Sequence, residues 1–154
     1  MRRRAEVSAG LLAFRRRPEL EVLLAHPGGP FWAKKDDDAW TIPKGLAEPG
    51  SDLLATAQRE FAEETSLLAG KDLIPLAPVR QKSGKLVYAW AFEGDLDLTK
   101  FASNTFDMEW PPRSGRRQRF PEIDRVAYFA LPVAMVKIIA YQQPLLRELQ
   151  DRIG

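Results

Sequence analysis

The chain has 154 residues, 45% of them hydrophobic and 29% charged, a size and balance suited to one globular domain that buries its own core. Its 23 basic and 21 acidic residues leave a formal charge of +2, too little to argue for a general nucleic-acid-coating or membrane-surface role, and direct attention to local charge clusters. Cysteine is absent, so disulfides, thiolate zinc sites and thiol nucleophiles are excluded together, and the cytoplasm is the expected compartment.

In chain order, Arg2, Arg3 and Arg4 carry the charge of a signal-peptide start, but AEVSAGLLAF contains a charge and is closed by Arg15, Arg16 and Arg17. Residues 5–14 therefore read as a strand, and no apolar run approaches the roughly 20 residues that span a bilayer. RRRPE has turn character before a second short strand at 20–25. HPGGPFWAKKDDDAW reads as a long surface loop, and TIPKGLAEPG continues the turn-rich stretch. Residues 51–68 contain no Gly or Pro and open with two N-capping residue types, Ser51 and Asp52, which predicts a helix. Residues 79–82 and 85–93 flank a Ser83-Gly84 turn as a hairpin. A strand is expected at 106–110, a basic loop over PPRSGRRQRFPE, a last strand at 125–131, and helices at 133–140 and 145–153 with Pro132 and Pro144 at their starts. No repeat, low-complexity tract or long linker divides the chain, so a single domain over 1–154 is expected.

On the 51–68 helix, Glu60, Glu63 and Glu64 stand at i, i+3 and i+4, so three anions share one sector of its surface. Like charges at these spacings oppose the helix by a few tenths of a kcal/mol per pair unless a cation is shared. Leu54, Ala57 and Phe61 form the core-facing stripe, and Glu64 falls at its border, partly desolvated. Such a carboxylate is either protonated or bound to something positive, and hard oxygen donors suit magnesium or manganese. The alternative is a solvated acidic face balanced by Arg59, within reach of Glu63 at i+4.

Together with the preceding IPKGLAEPGS, this helix resembles the Nudix signature: a Gly, five residues, a Glu, seven residues, Arg-Glu, an apolar residue, any residue, Glu-Glu, any residue, Gly and an apolar residue. Gly45 supplies the start, and REFAEETSL supplies Arg59, Glu60, Phe61, Glu63, Glu64 and Leu67 in register. Ser51 stands where Glu is usual and Ser66 where Gly is usual. The flanking AGLLAF and WTIPKG agree with the family, and the resemblance to a MutT-like pyrophosphohydrolase covers nearly the whole chain. It implies an α/β fold, an α/β/α sandwich around a mixed sheet. Ser51 is expected to keep an N-cap oxygen, and Ser66 to bear strain where Gly would permit a left-handed turn.

By that resemblance, Glu60, Glu63 and Glu64 would hold Mg2+ or Mn2+, with the Gly45 carbonyl a further ligand. Glu63, Arg59 and Glu122 form the expected catalytic set: Arg59 orients Glu63 or Glu60, and Glu122 is preferred over Glu109 and Glu93 as a ligand or general base outside the signature. Lys44, Arg116 and Arg117 are candidate phosphate contacts, as lysine offers a point charge and guanidinium groups pair bidentately with phosphate oxygens. Trp32, Trp40 and Trp110 are candidates for base stacking, with core packing the competing role. His26 is the only histidine and lacks a nucleophile elbow nearby, which sets aside a Ser-His-Asp hydrolase. The implied substrate is a small nucleotide, a nucleoside diphosphate linked to another group. The PKG lead-in is similar to that of members acting on nucleoside triphosphates or dinucleoside polyphosphates. A non-catalytic nucleotide-binding regulator and an RNA 5′-end pyrophosphohydrolase are the alternatives. No membrane partner is implied, and monomer and homodimer are both open.

Overall fold

A computed structural model describes residues 6–154; Ala5, the expected first residue of the opening strand, and Arg2, Arg3 and Arg4 lie outside the described residues. In chain order the elements are β1 (Val7–Arg16), β2 (Leu20–Pro27), β3 (Lys44–Leu46), α1 (Leu53–Thr65), β4 (Ile74–Pro75), β5 (Val79–Arg80), β6 (Leu86–Glu93), β7 (Thr105–Glu109), β8 (Arg117–Pro121), β9 (Ile123–Ala130), α2 (Leu131–Lys137) and α3 (Gln143–Ile153). The main sheet runs β4-β6-β1-β2-β9, with β3 also on β1 and β5 also on β6. It is mixed, because β1 and β6 are parallel while the other pairings are antiparallel.

Side chains alternate across a strand, so β1 serves two cores. Ala9, Leu11 and Ala13 face Ala57 and Phe61 of α1, joined by Leu23 of β2 and Phe92 of β6. Leu12 and Phe14 point the other way, into a cluster with Val22, Leu24, Ala134 of α2, and Leu145, Leu146 and Leu149 of α3. Helices thus cover both faces of the sheet, in an α/β/α sandwich. Among the described residues no helix is long and apolar enough to cross a membrane.

Pro132 and Pro144 sit at the starts of α2 and α3, as expected. The expected basic loop over residues 111–122 is different. Only its first part turns; Arg117–Pro121 is a strand, β8, paired with β7 in a separate two-stranded ribbon. The register explains why so charged a segment pairs. Asp107 stands opposite Arg119 and Glu109 opposite Arg117, while Phe106 faces Phe120 and Met108 faces Gln118, so one face carries complementary charge and the other no charge.

The expected N-cap also divides. Asp52 caps α1, accepting from the backbone of Leu54 and Ala55, whereas the Ser51 hydroxyl turns back to donate to the Glu48 carbonyl at 2.6 Å. Ser51 therefore braces the entry loop and does not cap the helix. At the other end the expected strain is present: Ser66 adopts φ 60° in the left-handed region, with its hydroxyl donating to Ala102 O at 2.8 Å.

Candidate active site

The geometry starts with a glycine in β1. A Cβ on Gly10 would lie 2.4 Å from the Pro43 carbonyl oxygen and 2.7 Å from Lys44 Cβ, so only glycine lets the 43–46 segment lie this close to the sheet. That segment carries Lys44 and Gly45 to the flank of α1. Because Ala57 and Phe61 are buried inward, Glu60 and Glu64 face β3, while Glu63 lies further round toward solvent. Gly45 is equally constrained: a Cβ there would lie 2.1 Å from the Glu60 carboxylate.

A strap formed by residues 102–104 closes the opposite wall. Its backbone N–H groups donate to two carbonyls at the end of α1: Ala102 to Thr65 at 3.0 Å and Asn104 to Glu63 at 3.1 Å. These are among the carbonyls a helix terminus leaves without intrahelical partners. Asn104 O in turn accepts from Glu122 N–H at 2.9 Å, so the base of the ribbon is clasped directly over the helix. The result is a cleft of about 430 Å³ whose lining includes Lys44, Gly45, Glu60, Glu64, Asn104 and Glu122. An adjoining chamber of about 310 Å³ shares Lys44, Glu64 and Glu122 and is walled by Trp32, Ile139 and Tyr141.

Electrostatics in the cleft are dominated by carboxylates. Burial pushes Glu64 up from its ordinary 4.5 to about 8, with Glu60 and Glu122 adding like-charge repulsion. The Lys44 backbone N–H, 3.1 Å from Glu64 Oε2, and the Lys44 charge oppose that rise. Glu122 is also raised, by burial first and by Glu60 second. Arg59 lies outside, touching both neighbouring glutamates, Glu60 Oε1 at 3.4 Å and Glu63 Oε1 at 3.7 Å. The Glu60 side chain is 16% exposed against 48% for Glu63, so these two carboxylates occupy different environments.

The residues singled out in the sequence thus divide. Gly45, Lys44, Glu60, Glu64 and Glu122 meet in the cleft, Glu63 and Arg59 form its outer rim, and Arg116 and Arg117 belong to the ribbon and do not line the cleft. Of the other glutamates considered, Glu109 accepts from Arg113 N–H on the ribbon, and Glu93 ends β6. Trp40 is a core residue whose Nε1 donates to Asp36, Trp32 lines the chamber, and Trp110 packs edge-on against Phe31. His26 is fully buried, with Nδ1 2.9 Å from Asp124 Oδ1 and Nε2 2.6 Å from Lys35 O, which pins the 28–43 loop to β9. Asn104, Gln81 and Tyr141 also line the cleft and escaped the sequence reading. They arrive through tertiary folding from three separate segments, with no spacing pattern to mark them.

A sequence model of the NUDIX domain matches residues 4–134, and the chain belongs to the Nudix family. A 56-residue stretch is 39% identical to an RNA pyrophosphohydrolase of Caulobacter vibrioides, covering 33% of this chain and 33% of that protein, so the chain spans about a third of that relative's length. In three dimensions the chain is similar to the NUDIX domain of Shewanella oneidensis NrtR complexed with ADP ribose. The TM-score is 0.66 at 16% identity, over 99% of this chain and 91% of that one. A C. elegans Ap4A hydrolase in a binary complex gives a TM-score of 0.61 at 23% identity, over 95% and 97% of the two chains. These likenesses establish the Nudix fold.

Proposed function

We propose that the chain is a cytoplasmic, divalent-metal-dependent hydrolase that cleaves a pyrophosphate bond in a nucleoside diphosphate linked to another group, such as a nucleoside triphosphate or dinucleoside polyphosphate, with residues 1–154 acting as one domain. The observation that carries this reading is the meeting of Glu60, Glu64 and Glu122 beside Lys44 in one cleft, with Glu64 pushed up to about 8. Three carboxylates in a partly buried space favour a cation, and an all-oxygen donor set suits Mg2+ or Mn2+. Among the described residues no three acidic or histidine side chains surround a common point, so the donor chemistry supports the cation and a preformed cage does not.

Glu60, Glu63, Glu64 and the Gly45 carbonyl would hold the ion. When bound, it neutralises phosphate charge and lowers the pKa of a coordinated water. Arg59 positions Glu60 and Glu63, which it already touches. Lys44 holds a phosphate oxygen by charge, and Arg116 and Arg117 engage phosphates that extend beyond the cleft. Glu122, its affinity for a proton enhanced by burial and Glu60, takes the proton of the attacking water. The water oxygen bonds to phosphorus, the bridging P–O bond breaks, and the leaving phosphate keeps its electron pair.

The test is chromatographic identification of the products formed from nucleoside triphosphates, dinucleoside polyphosphates, ADP-ribose and 5′-triphosphorylated RNA, with magnesium and with manganese. Glu63→Gln and Glu64→Gln should each lose most turnover while remaining folded. Full turnover in either variant would move the metal site elsewhere. Tight nucleotide binding without any turnover would instead assign a regulator.

A further inference from the structure

The segment between α2 and α3 is bolted to the 28–43 loop beside it. Ile139 N–H donates to Trp40 O at 2.7 Å, and Ala140 N–H donates to Asp38 Oδ1 at 2.7 Å. Ala140–Gln142 then form a single 3-10 turn that buries Gln142 completely and leaves Tyr141 lining both the cleft and the adjoining chamber.

The buried amide has one permitted orientation. Ile42 N–H lies 3.1 Å from one end of the Gln142 side chain, and a backbone N–H only donates, so that end is the oxygen, Oε1. The other end is therefore the NH2 group, and it lies 3.0 Å from the Tyr141 hydroxyl oxygen. An NH2 group also only donates, so the phenol oxygen accepts in this contact and its own hydrogen is turned elsewhere. Among the described residues that hydrogen meets no acceptor. Lys44, Glu64, Gln81 and Glu122 share the junction of cleft and chamber with Tyr141, and none of them is bonded to it. A donor of fixed polarity thus opens on the space beside the carboxylates and has no partner within the chain.

We infer that Tyr141 donates its O–H to an acceptor oxygen of the bound substrate, and that Gln142 is the positioning residue that keeps the hydrogen turned toward it, an assignment that rests on the pyrophosphohydrolase reading of the cleft. Two oxygens of a nucleotide suit the junction: a phosphoryl oxygen beside Lys44, and a base carbonyl in the chamber walled by Trp32 and Ile139. Both are acceptors only. A base amino group at that point would meet the hydrogen with one of its own, so in the second case Tyr141 also selects among bases. The chain Ile42 N–H to Gln142 to Tyr141 carries this polarity from the main chain outward, and each link is set by a group that works in one direction.

The experiment compares the full chain with Tyr141→Phe, which keeps the ring and removes the hydrogen, and with Gln142→Glu. Steady-state kinetics with magnesium and the four common nucleoside triphosphates separate the two oxygens. A phosphoryl contact lowers kcat/KM about tenfold to a hundredfold for all four, and a base contact lowers it about threefold to tenfold for guanosine and uridine triphosphates alone. Gln142→Glu keeps the side-chain shape, but once ionised its carboxylate only accepts and takes the Tyr141 hydrogen for itself. Its kcat/KM should follow the wild type below the pH at which the new carboxyl ionises and fall to the Tyr141→Phe level above it, a profile that a general loss of stability would not give. Full kcat/KM in Tyr141→Phe, or a Gln142→Glu profile parallel to that of the wild type, would each overturn the inference. If the wild type hydrolyses no nucleotide, the catalytic reading fails by itself and calorimetry decides the role of Tyr141. Tyr141→Phe should then bind either magnesium imidodiphosphate or guanosine 5′-monophosphate more weakly by the same factors, and unchanged affinity for both would refute the contact.

Discussion

Replacing Glu64 by glutamine should make the metal-free protein more stable at neutral and alkaline pH and leave it unchanged in acid. Burial raises this carboxyl from 4.5 to about 8 in the folded chain. Between those values the native state holds a proton that the unfolded chain has released. The group's contribution is therefore fully favourable below 4.5, declines as pH rises, and reaches its full cost above 8. At about 1.4 kcal/mol per unit, two and a half units separate pH 7 from the unfolded value, a cost of about 3 kcal/mol, growing to ~5 kcal/mol at pH 8 and above. Glutamine removes the titration and keeps an oxygen to accept the Lys44 N–H. For a chain of this size the thermal midpoint of Glu64→Gln should rise by roughly 10–20 °C at pH 8 in chelator, and the two curves should converge near pH 4.5. Thermal unfolding across that pH series is the assay. Addition of manganese should then stabilise the wild type and leave the variant in place. A variant no more stable than wild type at pH 8, or a difference of equal size at pH 4.5, would refute the burial argument.

Gly45→Ala should cost less than about 1 kcal/mol in stability, since the atoms in its way belong to the flexible end of Glu60, yet displacing that carboxylate should weaken manganese binding about tenfold in calorimetry. Phe61→Ala should cost about 3–5 kcal/mol in urea unfolding, because the ring is fully buried and packs edge-on to Phe92 at 5.6 Å. Ser66→Gly should be more stable than Ser66→Ala by about 1 kcal/mol, as both lose the hydroxyl bond to Ala102 but only glycine relieves the left-handed backbone. Equal stability of that pair in denaturant would show that the helix exit bears no strain.

The parts of this fold legible in the sequence are those where local chemistry and tertiary packing agree. The stretch between Gly50 and Gly70 free of breakers, its apolar stripe at Ala57 and Phe61, and the Gly-containing turn between β5 and β6 all announce themselves. β8 was hidden because its strand character resides in cross-strand charge pairs with β7, which a one-dimensional reading counts as loop polarity. In the site, the spacing of Glu60, Glu63 and Glu64 gives their common sector but not the split within it. Which glutamates face the cleft depends on how far Phe61 rotates the helix onto the sheet, and on Gly10 admitting the 43–46 segment beside it. The Asn104 wall and the pairing of Asp36 and Asp37 in the 28–43 loop depend on partners some 40 to 100 positions away in the chain, such as Glu63 and Lys137.

The clasp between Asn104 and Glu122 also bears on how this arm can change over generations. Because pairing is fixed at the root, extra residues near Ser114 extend the tip without disturbing the glutamates below. An odd residue added there would be absorbed by the turn, whereas one added between the root and Trp110 would bulge its strand and re-aim the rings beyond it. Lineages that lengthen this projection are therefore expected to do so from its tip.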